Sequence, residues 1–449
     1  MTRRPIVLLH GYSDHAQSFD TWRRHLVDAG WEATTIHVGD FVTLSNEITI
    51  KDVAEGFDRA LRIRAGLDAD EPFDAIVHST GSLVIREWLA TYGTRVRRVK
   101  RLVGLAPANF GSPLAHKGAS WLGAVFKGNK HWGPDFMEAG SLVLDGLELG
   151  SRYTWDLAHR DLVGEHAIYD ATDETPFPFV IVGDEGYGGL RKLVNDPGSD
   201  GTVRWAGTAL DTRKIQLDLT RARDDGAASR IEIAPWANLD VPFAFAPGHD
   251  HGSILRDPSP ALVAMVREAL EVEDAAAYHG WGERHAWSEQ DAKPERWQQF
   301  VMRAVDERGD PVPDWYLEVG TGHGDDFERL DDFALDVHPY SADPSFRCFH
   351  ANLGELRPAE RSSLVLRLTA RSGSELVAYH GIGSERFTAE GDERAGDGTW
   401  DAQIDLTSML NDDGVTFFHP FTTTLVEVRL NREPMPPSGV NRVLKFAGG

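Results

Sequence analysis

The run FDAIVHSTGSL at residues 73–83 constrains this chain more than any other stretch. An apolar strand pattern enters His-Ser-Thr-Gly and leaves as a helix over Gly81 to Thr91, with Leu83, Ile85, Trp88 and Leu89 as its apolar members. A serine hydroxyl is a poor nucleophile at neutral pH, so chemistry that uses one exposes it on a sharp bend beside a base and free backbone N–H groups. Ser79 stands at such a bend, and Gly81 supplies the small residue that lets strand and helix approach. Val77, two residues before the serine, is not small, so the G-x-S-x-G pattern is half met. Ser82 falls in the first turn of the helix and is the weaker candidate; the plain alternative for Ser79 is a helix cap.

Other segments supply the rest of a nucleophilic constellation. PIVLLH at residues 5–10 is a short buried-strand pattern ending in His-Gly-Tyr-Ser. In serine hydrolases the loop after an early strand lends one N–H to the developing oxyanion and the residue after the nucleophile lends another, which here would be Tyr12 and Thr80. FPFVIVG, Phe177 to Gly183, is another buried strand, and the loop beyond it contains GSDGTV with Asp200 among small residues; Asp184, at the strand's end, is the second candidate acid. VPFAFA at residues 241–246 opens into PGHDHGSIL, where His251 is favoured over His249 because it lies beside Gly252 just before a helix-like run. Serine, acid and histidine then follow in chain order. HDH also invites a metal reading, but no companion cluster with ligand spacing accompanies it. GDEGYGG at residue 183 lacks the Lys-Ser/Thr pair of a nucleotide loop.

These residues resemble the α/β-hydrolase family, and within it the bacterial lipases and esterases. The matching pieces are HGYSD from His10, VHSTGS from Val77, APANFGSPLA from Ala106, SDGTV from Ser199 and GHDHGSIL from Gly248, spanning roughly residues 1–275 in the family's order. Val77 stands where the family usually has glycine. The resemblance implies a mainly parallel sheet flanked by helices, with Ser79 as nucleophile, His251 as base, Asp200 orienting it, and the Tyr12 and Thr80 amides as oxyanion hole. It implies hydrolysis of carboxylic esters, or the related work of a phospholipase or thioesterase. No metal or organic cofactor is needed for that chemistry. A non-catalytic receptor on the same scaffold is the alternative of another class.

An insertion at about residues 107–175 is too long for a simple crossover. Trp121, Phe126, Trp132, Phe136 and Met137 lie in it, partly at helical intervals. In similar lipases such a segment is a lid, so these side chains are expected to line an apolar acyl pocket and to meet a lipid interface; two packed helices are the alternative.

With 449 residues the chain exceeds one ordinary core. A catalytic domain is expected over residues 1–275, a polar connector over 276–298 and a β-sandwich over 299–449, where short alternating strands follow one another without helices. FVMRAVDERGDPVPDWYLEV, residues 300–319, reads as two strands joined by a Gly-Asp-Pro turn, and its V-D-x-x-G-x-P-V pattern from Val305 to Val312 resembles the opening hairpin of immunoglobulin-like or transthyretin-like modules. The acidic run at residues 325–336 fits no calcium-loop spacing. The net charge of −24 argues against nucleic acid and anionic membrane surfaces as partners. The single cysteine, Cys348, excludes an intrachain disulfide. No run of about 18 apolar residues occurs, so no spanning helix is expected. The first strand begins four residues into MTRRPIVLLHG, leaving no room for a signal peptide, and a cytoplasmic location is the expectation if that start is natural.

Overall fold

The structure is a computed structural model, and it describes residues 3–11, 19–37, 47–92, 97–115, 140–164, 168–172, 174–188, 195–220, 231–233, 241–288, 295–322, 324–330, 335–356, 363–374, 377–380, 399–407, 410 and 417–434. They form two compact units whose sequences interleave. The first takes residues 1–213, 236–299 and 421–423; the second takes 214–235, 300–420 and 424–449.

The first unit is built on strands β1 (Ile6–His10), β2 (Ala33–His37), β3 (Phe73–Ser79), β4 (Val99–Pro107) and β5 (Phe177–Gly183). Short apolar runs without polar alternation belong to parallel strands covered on both faces, and β1, β3 and β5 are buried along their whole length. With β8 (Phe243–Ala246) they make a six-stranded sheet in the order β2-β1-β3-β4-β5-β8. Every neighbouring pair in it is parallel.

Helices α1 (Asp20–Asp28), α2 (Ile50–Ile63) and α3 (Gly81–Thr91) flank the sheet. The start of α2 is fixed by a capping box, in which the Thr49 hydroxyl accepts from the Asp52 N–H and the Asp52 carboxylate accepts from the Thr49 N–H. Its Ile50, Val53, Phe57 and Leu61 are buried, at the spacing of one helix face. Along α3 nine consecutive residues from Gly81 to Leu89 are buried, including Arg86 and Glu87. Charges so placed need partners. Arg86 makes a bidentate bond to Asp161 at 2.8 and 3.0 Å, and Glu87 accepts from Arg160 at 2.6 Å, tying α3 to the helix Arg152–Asp161.

The segment expected as a connector holds the helix Ala275–His285, capped by Asp274. Two aromatics at i and i+3, Tyr278 and Trp281, are buried and pack on Phe179 with ring centroids 5.2 and 4.8 Å away. The polar residues around them are the helix's solvent face, which is why the stretch reads as a linker in sequence.

The second unit is β-rich. Strands β6 (Thr212–Asp218) and β7 (Ile231–Ile233) reach its sheets from the middle of the chain, followed by β9 (Trp297–Asp306), β10 (Asp314–Thr321), β11 (Glu328–Arg329), β12 (Leu335–Pro339), β13 (Phe346–Asn352), β14 (Val365–Arg371), β15 (Val377–His380), β16 (Thr399–Asp405) and β17 (Thr423–Pro434). One sheet runs β11-β10-β14-β16; the other runs β12-β13-β9-β17-β6-β7, with β15 paired to β17. The pairings β10–β14, β14–β16 and β12–β13 are antiparallel. One core joins both sheets, with Phe300, Met302 and Phe349 from one and Trp315, Leu366 and Leu368 from the other, the arrangement of a sandwich. The expected opening hairpin is corrected here: β9 and β10 lie in different sheets, and the end of β9 instead bridges the loop before β10, between Val305 and Pro311. The Asp306 carboxylate, accepting from the Arg308 and Asp310 N–H groups at 2.9 Å, tightens that turn into a corner between layers. Among the described residues no helix is long and apolar enough to cross a membrane.

Candidate functional site

In open parallel sheets, ligands bind beyond the carboxyl ends of the strands. Described residues after β3, β5 and β8 meet there, with Gly11 at the end of β1 beside them. Ser79 ends β3 with φ 52°, a left-handed conformation that a non-glycine residue adopts only under constraint. The constraint is visible on its carbonyl oxygen, which accepts from the Ala108 N–H at 3.1 Å and from the Ser82 hydroxyl at 2.8 Å. Ser82 thus braces the bend. Gly81 is required by packing, since a Cβ there would sit 2.5 Å from the Leu9 carbonyl oxygen of β1.

Val77 occupies the position where a glycine is usual, and the bend forms regardless. The residue paired with it across the sheet is Gly104 of β4.

The three candidate side chains converge. His251 Nε2 lies 3.1 Å from Ser79 Oγ, and His251 Nδ1 lies 2.9 Å from Asp200 Oδ2. All three are buried. The other Asp200 oxygen accepts from the Thr202 and Val203 N–H groups at 3.0 and 2.9 Å, so the carboxylate faces only donors. An acceptor-only carboxylate makes Nδ1 the protonated nitrogen, which leaves Nε2 free to accept from the serine hydroxyl. The His251 backbone is clamped too: its N–H donates to the Asp200 carbonyl, and its carbonyl accepts from His78 Nε2, both at 3.0 Å. The rings of His78 and His251 lie 4.7 Å apart. His78 and Ala108 have no role in the sequence reading, and Ser82, there the weaker candidate nucleophile, instead donates to the Ser79 carbonyl. Their only signal is membership of the VHSTGS and APANFGSPLA pieces.

The second candidates go elsewhere. Asp184 accepts from the Gly248 N–H at 2.7 Å, and His249 Nε2 accepts from the Ser259 N–H at 3.3 Å. Burial holds the His249 imidazole below its ordinary pKa, against the pull of Asp184, Asp250, Asp257 and Glu185, which favours the neutral form that can accept. Both residues fix the loop that carries His251.

Of the two expected oxyanion donors, Thr80 follows the bend directly, and Gly11 lies against it. A Cβ on Gly11 would stand 3.1 Å from the Thr80 nitrogen and 3.3 Å from Ser79 Cβ, so glycine keeps that space open. Tyr12 lies outside the described residues, as do Trp121, Phe126, Trp132, Phe136 and Met137 of the insertion. Its described parts include the helices Ser141–Leu147 and Arg152–Asp161. Among the described residues no group of His, Cys, Asp and Glu could hold a metal ion.

A six-stranded parallel sheet flanked by helices is the architecture of the α/β-hydrolase fold. Residues 4–179 match the family model of the alpha/beta hydrolase fold, and this chain carries that fold. Two structures of phospholipase PlaB from Legionella pneumophila, one in complex with thio-NAD, align with a TM-score of 0.73 and 21% identity, over 95% or more of this chain and 94% of theirs. Lipase BlEst2 from Bacillus licheniformis aligns over 60% of this chain and 93% of its own, at 16% identity and a TM-score of 0.38. No curated protein sequence matches the chain.

Proposed function

We propose that this chain is a serine ester hydrolase, with Ser79, His251 and Asp200 as its triad and an acylated Ser79 as intermediate. The carrying observation is the hydrogen-bond path from Ser79 Oγ through the His251 ring to Asp200, at 3.1 and 2.9 Å, built on a bend held at φ 52°. His251 Nε2 takes the hydroxyl proton as Oγ attacks the ester carbonyl, then returns it to the leaving alcohol; water enters by the same route and frees the acid. Asp200 steadies the imidazolium. The Thr80 N–H, with the Tyr12 N–H from the loop after β1, receives the oxyanion, each such donor contributing about 3 kcal/mol to the transition state.

Apolar acyl esters are the proposed substrates, on the strength of the large apolar residues in the 107–175 insertion acting as a lid. Phospholipid esters come first among them, because the likeness to the phospholipase extends over both units. A fluorophosphonate probe, which captures only an activated serine, is expected to label the peptide carrying Ser79. Ser79→Ala should abolish labelling and cost about a million-fold in p-nitrophenyl ester turnover. An unlabelled wild-type chain would favour the receptor reading. Rates should rise from acetate toward medium or long acyl chains; a steady fall from two carbons upward would remove the lid's proposed role.

A further inference from the structure

Phe421–Thr423 belongs to the first unit although the rest of that unit ends at residue 299. Phe421 has φ 55°, an outlier for a bulky side chain. Residues held this way persist only where their surroundings over-determine them. Its ring is 2% exposed, stacked on Phe243 at 5.3 Å and edge-on to Trp287 at 4.8 Å, Phe245 at 5.2 Å and Trp205 at 6.3 Å. The backbone is pinned as well. The Phe421 N–H donates to the Trp297 carbonyl at 2.7 Å, and the Thr422 carbonyl accepts from the Gln299 N–H at 3.0 Å.

Two contacts of this segment fall on the turn that carries Asp200. Trp205, which touches the Phe421 ring, closes that turn by donating its N–H to the Gly198 carbonyl at 2.9 Å. Its indole N–H donates to the Gly183 carbonyl at the end of β5, at 3.0 Å. Thr423 Oγ1 donates to the Ala206 carbonyl at 3.1 Å, one residue further on. Inside the turn the Thr202 and Val203 amides aim the Asp200 carboxylate at His251. Contacts therefore run without a break from the late segment to the acid.

We infer that Phe421 and Thr423 are positioning residues for the reaction, acting through Trp205 and Ala206 to hold the Asp200 turn in register with His251. This rests on the triad reading above. Neither residue touches the reacting atoms, so the effect must pass through Asp200, and a double-mutant cycle isolates that dependence.

The experiment uses the full chain with Phe421→Leu and Thr423→Val, each alone and in an Asp200→Asn background, reading fluorophosphonate labelling rates and p-nitrophenyl ester kinetics beside thermal melting. Each single change is expected to lower kcat about tenfold with KM within twofold, and to add less than a twofold loss once Asp200 is Asn. Equal losses in both backgrounds, or no loss in either single variant, would overturn the inference. Thr423→Val keeps the shape of the side chain and removes one donor, so the cycle stands on it even if the Phe421 variant does not fold. An Asp200→Asn chain as fast as wild type would reject the triad itself and this inference with it.

Discussion

At Ser79 the backbone conformation costs a non-glycine residue about 1–3 kcal/mol, and the Ala108 amide and Ser82 hydroxyl hold it in place. The bend itself is legible in sequence, because an apolar strand pattern runs into a helix through His-Ser-Thr-Gly. Its braces are not. A backbone amide such as that of Ala108 carries no side-chain signature, and His78 is read as part of a motif until the fold brings the His251 carbonyl to within 3.0 Å of it. For the two late histidines, Gly252 and the helix-like run after it favour His251 in sequence, and in the fold His251 reaches Ser79 while His249 reaches Ser259. His251→Ala should be as damaging to turnover as Ser79→Ala, and His249→Ala should stay within about tenfold of wild type; the opposite ranking would move the base. His249 also carries a pH signature. Its folded pKa lies below the ordinary 6.5, so the stability it contributes is complete above that value and is lost as pH falls through the lower folded value. His249→Gln should flatten the fall of the urea midpoint between pH 7 and pH 5, and an unchanged slope would show that another group controls it.

Between elements, the junction of β1, β3 and α3 decides whether the bend can form. The Leu9 carbonyl oxygen lies where the first carbon of any larger residue at position 81 would go, at 2.5 Å. Because that oxygen belongs to a buried strand, α3 itself must shift. Gly81→Ala is therefore expected to cost about 1–3 kcal/mol in urea denaturation and more than tenfold in kcat, since the same shift moves Ser79. Wild-type stability and turnover would show that the junction has slack. Elements of this unit read well from sequence where burial on both faces leaves unbroken apolar runs, as in β1, β3 and β5. They read poorly where a local pattern has two spatial outcomes. The turn after β9 is well formed around Asp306, yet the same turn closes a hairpin or carries the chain to the opposite layer, and the choice is made by what each strand's faces bury. Pairing across strands is equally hidden: Val77 and Gly104 are 27 positions apart and become partners only in the sheet.

For the whole molecule, the interleaving of the two units matters most. Residues 214–235 build the second unit and Phe421–Thr423 the first, so no single cut in the sequence separates them cleanly. A chain stopped at residue 299 would keep Ser79, Asp200 and His251 and still lack Phe421 and Thr423. It should take up a fluorophosphonate at least tenfold more slowly than the full chain, if it is recovered soluble; labelling at the wild-type rate would show the late segment to be dispensable.

That arrangement also sets an order of events at birth. Translation delivers Ser79, Asp200 and His251 first, but Phe421 and Thr423 emerge about 120 residues after position 299, a delay of roughly 6–24 seconds at ordinary elongation speeds. On the proposed scheme the turn that carries Asp200 therefore gains its last supports only after most of the second unit has been made.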